Sequence, residues 1–251
     1  MILGLFFLEN KMERLLTKLA AVVLLVLFSC PLWSQEVPKA PAGIPQNFMF
    51  HKDTLVEVMR SVWKDIPYPS AVAGLIEQET CPSITSKRCW SRFAKLETPH
   101  EAGYGLGQFT ITKKFNAFEE VRTLHPELKD WQPENYSDSR LQLIAIHVKL
   151  KQNFKVFKTA ANNEERFSLA LAAYNGGVGG ILADQRVCRN TKDCDPSKWW
   201  GNVEYTSLKT KMAFNGFKKS AFQINREYPY NIMKVRRMKY EPYINREIIG
   251  R

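Results

Sequence analysis

The sequence predicts a mainly α domain with a small β element. Three observations carry this. Several stretches place apolar residues at helical spacing with recognisable stop or start signals. Only one short stretch alternates like a strand, and it follows a glycine-rich segment. Finally, 45% apolar content in 251 residues supports a real core without low-complexity tracts or fixed repeats.

From the N-terminus, Lys11, Arg14 and Lys18 precede an unbroken apolar run, Leu19 to Phe28, followed by Ser29, Cys30 and Ser34. This is the layout of a secretory signal over residues 1–34, too short for a comfortable membrane span. An uncleaved anchor is the alternative, and Cys30 within Leu27-Phe28-Ser29-Cys30 is a weak match to a lipidation site. Residues 35–48, with Pro38, Pro41 and Pro45, read as a linker, and the domain is expected over 49–245.

A first helix is expected around Lys52–Lys64, ending before Pro67 and Pro69. Ser70 reads as the cap of a second, Ala71 to Glu79. Gly103–Gly107 is glycine-rich, and Gln108–Thr112 alternates like a strand. Ser137 or Asp138 caps a long helix to about Phe154, with Leu141, Ile144, Ala145 and Val148 on one face. Asn162 and Glu165 look like a capping box for the next helix. Phe167, Ala170, Leu171 and Tyr174 form its stripe, and Asn175-Gly176-Gly177 ends it. One or two further helices are expected between Tyr205 and Tyr240.

With residues 1–34 removed, four cysteines remain at two short spacings, which favours the disulfides Cys81–Cys89 and Cys188–Cys194 in an oxidising compartment. Zinc is a weak rival: neither spacing is CxxC, and His51, His100, His125 and His147 lie away from both pairs. The formal charge of +11 points to an acidic partner or surface. Much of it sits at the C-terminal end. Eleven Lys and Arg between Lys209 and Arg251 face only Glu227, Glu241 and Glu247. Such a run is either a solvated face or a docking surface for an anionic envelope. Export and paired cysteines argue against nucleic acid.

Three features hold candidate chemistry. On the second helix, Val72, Leu75 and Ile76 form an apolar stripe whose next position is Glu79. A carboxyl there loses solvation and holds its proton to higher pH, as a general acid must. The alternative is a solvent-facing residue at a fraying helix end. Gly103-Tyr104-Gly105-Leu106-Gly107-Gln108 permits tight turns, but it lacks the strand and fingerprint of a nucleotide loop. Ala173-Tyr174-Asn175 ends the stripe of its helix, where Tyr174 by itself reads as a core tyrosine.

In this order, Glu79-Thr80, Gly105-Leu106-Gly107-Gln108 and Ala173-Tyr174-Asn175 resemble the motif series of the lytic transglycosylases with a soluble-lytic-transglycosylase domain, a lysozyme-like family (glycoside hydrolase family 23). The resemblance spans about 56–240. It implies an α+β lysozyme-like domain that cuts peptidoglycan glycan strands, with Glu79 as catalytic acid and base and no cofactor or metal. It further implies Gln108, Tyr174 and Asn175 in the sugar groove. Glu227-Tyr228-Pro229-Tyr230 loosely matches a late tyrosine of the family, which would put Tyr230 near the catalytic carboxyl. The sequence departs from the pattern in two places. The Glu79–Gln108 interval is long and holds Cys81, Cys89 and Trp90. Gly107 replaces a common Met, which is expected to remove an apolar wall. The rivals are a goose-type hydrolase aided by Asp184, Asp193 or Asp195, and a non-catalytic wall-binding module.

Overall fold

A computed structural model of the protein describes residues 38–213 and 218–250. The expected signal over 1–34, Cys30 included, lies outside the described residues. Lys39–Arg251 forms one compact unit. Mainly helical, it carries one three-stranded antiparallel sheet.

Helix α1 spans Gln46–Val62 and begins directly after Pro45, whose φ of −61° is preset for a helix start. Phe48 is fully buried against the rings of Trp90, Tyr240 and Tyr243, and Ile44 also joins the core. The expected linker to 48 therefore ends early, because the chain enters the core from Ile44 onward. Helix α2 spans Pro69–Thr80. Ser70 does not cap it. Pro69 occupies the first turn, where its missing N–H costs nothing, and the Ser70 side chain is fully buried inside the helix. Residues Ala71–Ala73, Leu75 and Ile76 have no exposed surface, so α2 is the central helix of the unit.

The strands β1 (Lys95–Glu97), β2 (Glu101–Tyr104) and β3 (Phe109–Thr112) form a meander, with Gly103 opposite Thr110. Only β3 was legible as a strand. Short α3 (Ala117–Arg122) is followed by α4 (Ser139–Val156), capped by Asp138, whose side chain accepts from Leu141 N. Helix α5 (Asn163–Gly176) is capped by the Asn162 side chain. Glu165 does not close the expected box: its carboxylate instead accepts the Trp199 and Trp200 amides, at 2.7 and 3.1 Å. Gly177, with φ +78°, ends α5 and opens α6 (Val178–Arg189) without a loop.

Helix α7 (Ala221–Tyr230) opens with a Ser220–Gln223 capping box. Pro229 lies inside it, and wide π turns follow over Asn231–Arg236 before α8 (Arg237–Asn245). Proline removes one helical N–H and crowds the carbonyl four residues earlier, and the regular α-helical register ends one residue beyond it. This C-terminal run packs against α2 at Gly74. A Cβ there would stand 3.1 Å from Arg237 N, so only glycine allows the approach without a neighbour giving way. Both disulfides form with the pairing the spacing favoured, Cys81–Cys89 and Cys188–Cys194.

Candidate active site

Glu79 lies in the last turn of α2, on the stripe of Val72, Leu75 and Ile76, all three fully buried. The residue keeps some accessible surface, but its carboxyl is enclosed by protein. Tyr228, reaching over from α7, donates its hydroxyl to Glu79 Oε1. Burial pushes the Glu79 carboxyl up to about 7. The Tyr228 hydrogen bond and the positive charge of Arg88 act in the opposite direction and do not outweigh it. No cation forms an ion pair with this carboxyl among the described residues. The group thus sits poised between acid and base near neutrality.

The glycine-rich segment is shaped by contacts rather than by a ligand loop. Gly105 has φ +70°, and a Cβ there would fall 2.5 Å from the Gln142 side chain. Buried Gln142 ties the loop down: its Oε1 accepts Leu106 N at 2.8 Å, and its Nε2 donates to the carbonyls of Arg92 and Tyr136. Gly107 is a close-approach position. A Cβ would meet Ile146, Phe109 and the Tyr174 hydroxyl, each at 2.7 Å. Ile146 and Phe109 occupy the space a side chain here would take, and of the two Phe109 lines the groove. Gln108 adopts φ +45°, uncommon for a residue other than glycine. Its Nε2 donates to Gly105 O at 2.8 Å and Ala94 O at 3.3 Å, and its Oε1 accepts from Arg88 Nη2 at 3.0 Å.

From the end of α5, Tyr174 donates its hydroxyl to Gly107 O at 3.1 Å. Burial and the neighbouring Glu79 and Glu120 carboxyls raise its phenol well above the ordinary value. Asn175 is exposed, and its Oδ1 accepts from Asn225 Nδ2, which also holds Ala172 O. Gln108, Tyr174 and Asn175 all line one groove of about 470 Å³, together with Phe115, Glu120 and Lys149. Glu120 pairs with Lys149. Glu79 is not part of this groove's wall. It connects to it through Tyr174, whose phenol feels the Glu79 charge.

Tyr230 does not approach the carboxyl. It is 53% exposed and lies edge-on to Trp200 in a separate basic and aromatic depression with Arg226 and Lys219. Residues two apart on a helix point about 200° apart, so only one tyrosine of the Tyr-Pro-Tyr run can face Glu79, and that one is Tyr228. Of the acids offered for a hydrolase, buried Asp184 accepts Leu208 N at 2.8 Å, and Asp195 is tied to Ser197 and Lys198. Many C-terminal cations also have internal partners. Arg236 and Lys239 reach Glu77, Lys209 faces Asp184, Lys219 pairs with Glu227, Lys234 with Glu164 and Arg237 with Glu241.

Sequence reasoning missed Tyr228, Arg88, Gln142 and Asn225. The Tyr-Pro-Tyr run carried a signal for the first. The others act through contacts across 20 to 53 residues, which no local pattern encodes. No protein-family model matches the chain, and no curated protein matches it in sequence.

Proposed function

We propose that the protein is a peptidoglycan lytic transglycosylase with a lysozyme-like domain, exported to the periplasm or cell envelope. The observation that carries this reading is Glu79: an enclosed carboxyl without an ion-pair partner among the described residues, protonated up to about pH 7 and touched by one phenol. The groove lined by Gln108, Tyr174 and Asn175 supports it as a place for a glycan strand, and the two disulfides suit an oxidising compartment. The C-terminal cations left over from internal pairing are then available to an anionic envelope.

In this reading the Glu79 carboxylic acid donates its proton to the glycosidic oxygen between N-acetylmuramic acid and N-acetylglucosamine. The acetamido oxygen of the muramyl sugar attacks the anomeric carbon as the bond breaks. Glu79, now a carboxylate steadied by the Tyr228 hydroxyl, takes the proton of the 6-hydroxyl. That oxygen displaces the acetamido group and closes a 1,6-anhydro ring, and Glu79 is left protonated again. One carboxyl serves both steps, which is the substrate-assisted exception to two-carboxylate glycoside cleavage.

A second reading is hydrolysis, favoured by one observation: Glu120 stands in the same groove, paired with Lys149, where a carboxylate would activate water. Digestion of purified peptidoglycan by residues 35–251, with products identified by mass spectrometry, separates the two. The expected result is 1,6-anhydro ends, with Glu79→Gln slower by about 10²–10⁴-fold. Reducing ends that depend on Glu79 and Glu120 would replace the transglycosylase with a lysozyme. A folded protein that binds the wall without cutting it would leave a binding module.

A further inference from the structure

The loop closed by Cys81–Cys89 leaves the end of α2 two residues after Glu79 and returns with Arg88. Its return is rigidly held. Cys89 is bonded and buried, and Trp90 is fully buried, with its amide on Thr80 Oγ1 at 2.9 Å and its indole N–H on the Tyr240 hydroxyl at 3.0 Å. The half-buried Arg88 side chain donates from Nη2 to Gln108 Oε1. Gln108 has no freedom in this, because its Nε2 is committed to the Gly105 and Ala94 carbonyls and its oxygen must face the guanidinium.

Beyond that bond the Arg88 charge has no anionic partner among the described residues. Arg88 Nε is shut off from solvent and has no hydrogen-bond partner, and no carboxylate forms an ion pair with the group among the described residues. The side chain as a whole keeps accessible surface, so a cation held rigidly against the groove residue Gln108, with no anion of its own, can take one from a ligand. The planar donor fork of arginine matches a carboxylate through two parallel hydrogen bonds. The guanidinium stands close enough to Glu79 for its charge to be felt there.

We propose that Arg88 is a specificity-determining residue that takes a carboxylate carried by the glycan strand beside the bond attacked at Glu79. This rests on the function proposed above. Peptidoglycan offers that chemistry from two sources: the lactyl acid of a stripped muramyl residue, and the free acids of a stem peptide. Neutral sugar chains lack it, so Arg88 selects for wall glycan over uncharged polymers.

The test uses the oxidised chain carrying Glu79→Gln, to prevent turnover. Calorimetry measures its binding to stripped glycan strands, to peptide-bearing strands, and to both after their carboxylates are capped as methylamides. Capping is expected to weaken binding tenfold or more, which is the scale of one charge-assisted hydrogen-bonded pair. Adding Arg88→Met is expected to give that same weak affinity and to abolish the effect of capping, whereas Arg88→Lys keeps part of it. An effect on stripped strands assigns the lactyl acid, and an effect confined to peptide-bearing strands assigns a stem acid. Capping acts on the ligand alone, so it reads the contact even if an Arg88 variant folds poorly. Binding indifferent to capping, capping dependence that survives Arg88→Met, or no binding to any strand would overturn the proposal. Cleavage by the chain with Glu79 intact is scored separately. Carboxylate-dependent binding without cleavage keeps Arg88 as a recognition residue and removes the transglycosylase. Cleavage with no capping effect removes only Arg88.

Discussion

Glu77 and Glu79 stand two residues apart on α2, and both carboxyls are withdrawn from water, yet their surroundings differ in charge. Glu77, only 5% exposed, receives Lys239 Nζ at 2.7 Å, Arg236 Nε at 3.6 Å and the Tyr240 hydroxyl, which in turn accepts the Trp90 indole N–H. Its charge is compensated, and the cluster fastens the C-terminal run to the central helix. Glu79 receives one neutral phenol and the field of Arg88, which makes no ion pair with it. Burial without compensation leaves the second carboxyl undecided between its two protonation states, and that indecision is what proton transfer requires. The same residue type, one helical face apart, is thus a fastener in one case and a candidate catalyst in the other.

The strongest way to break this contrast is to remove the fastener. Glu77→Ala leaves Lys239 and Tyr240 without their acceptor and Arg236 without its counter-charge, and is expected to cost about 3–4 kcal/mol by denaturant unfolding, near the lower end for breaking a buried pair. The cleavage rate of the remaining folded protein should stay within a few fold. An unchanged unfolding midpoint would show that Glu77 anchors nothing.

Glu79→Gln should behave the opposite way. The wild-type carboxyl ionises near 4.5 when unfolded and near 7 when folded. The unfolded chain therefore releases its proton first as pH rises, and the native state loses stability between those values. Glutamine does not titrate, so the variant should gain on the wild type by about 3 kcal/mol between pH 4 and pH 8. Burial pushes His51 and His147 down to about 4, which produces the opposite slope, stability being lost as pH falls below 6.5. That slope is common to both proteins and cancels in the difference. A difference that stays flat with pH would make Glu79 an ordinary surface carboxyl.

The smallest effect sharpens the role of Tyr228. Its hydroxyl stabilises the ionised carboxyl, so Tyr228→Phe should move the basic limb of kcat/KM from near pH 7 to higher pH, by up to about one unit, and slow the maximal rate about tenfold. Tyr230→Phe should change neither. A limb that stays in place or moves down would show that the phenol does not bear on the Glu79 charge.

Much of the scaffold was legible because its signals are local. The stripe ending at Glu79, the Asp138 and Asn162 caps, and the Gly177 stop all follow from 3.6-residue periodicity and from the orphaned amides and carbonyls at helix ends. Where local signals compete, the buried environment decides between them. Ser70 is a good cap, but Pro69 one residue earlier also starts a helix, and the buried environment favours the proline. β1 and β2 lack alternation, since exposed Lys95–Glu97 and the Glu-Ala-Gly-Tyr stretch are held by their ladder rather than by a buried face.

By itself the sequence determined that the chain would be mainly helical, aligned Glu79 with an apolar helical stripe, and favoured two short loops closed through cysteines. Only the tertiary structure decided which tyrosine reaches that carboxyl, that Gly107 yields its space to Tyr174, Phe109 and Ile146, and that Gln108 accepts a hydrogen bond from Arg88. It alone also separated Glu77 from Glu79. The reason is range. Periodicity, caps and short spacings act within a turn or two of chain. The partners of the two glutamates lie about 150 and 160 residues away in sequence, and only folding brings their charges or hydroxyls close enough to act.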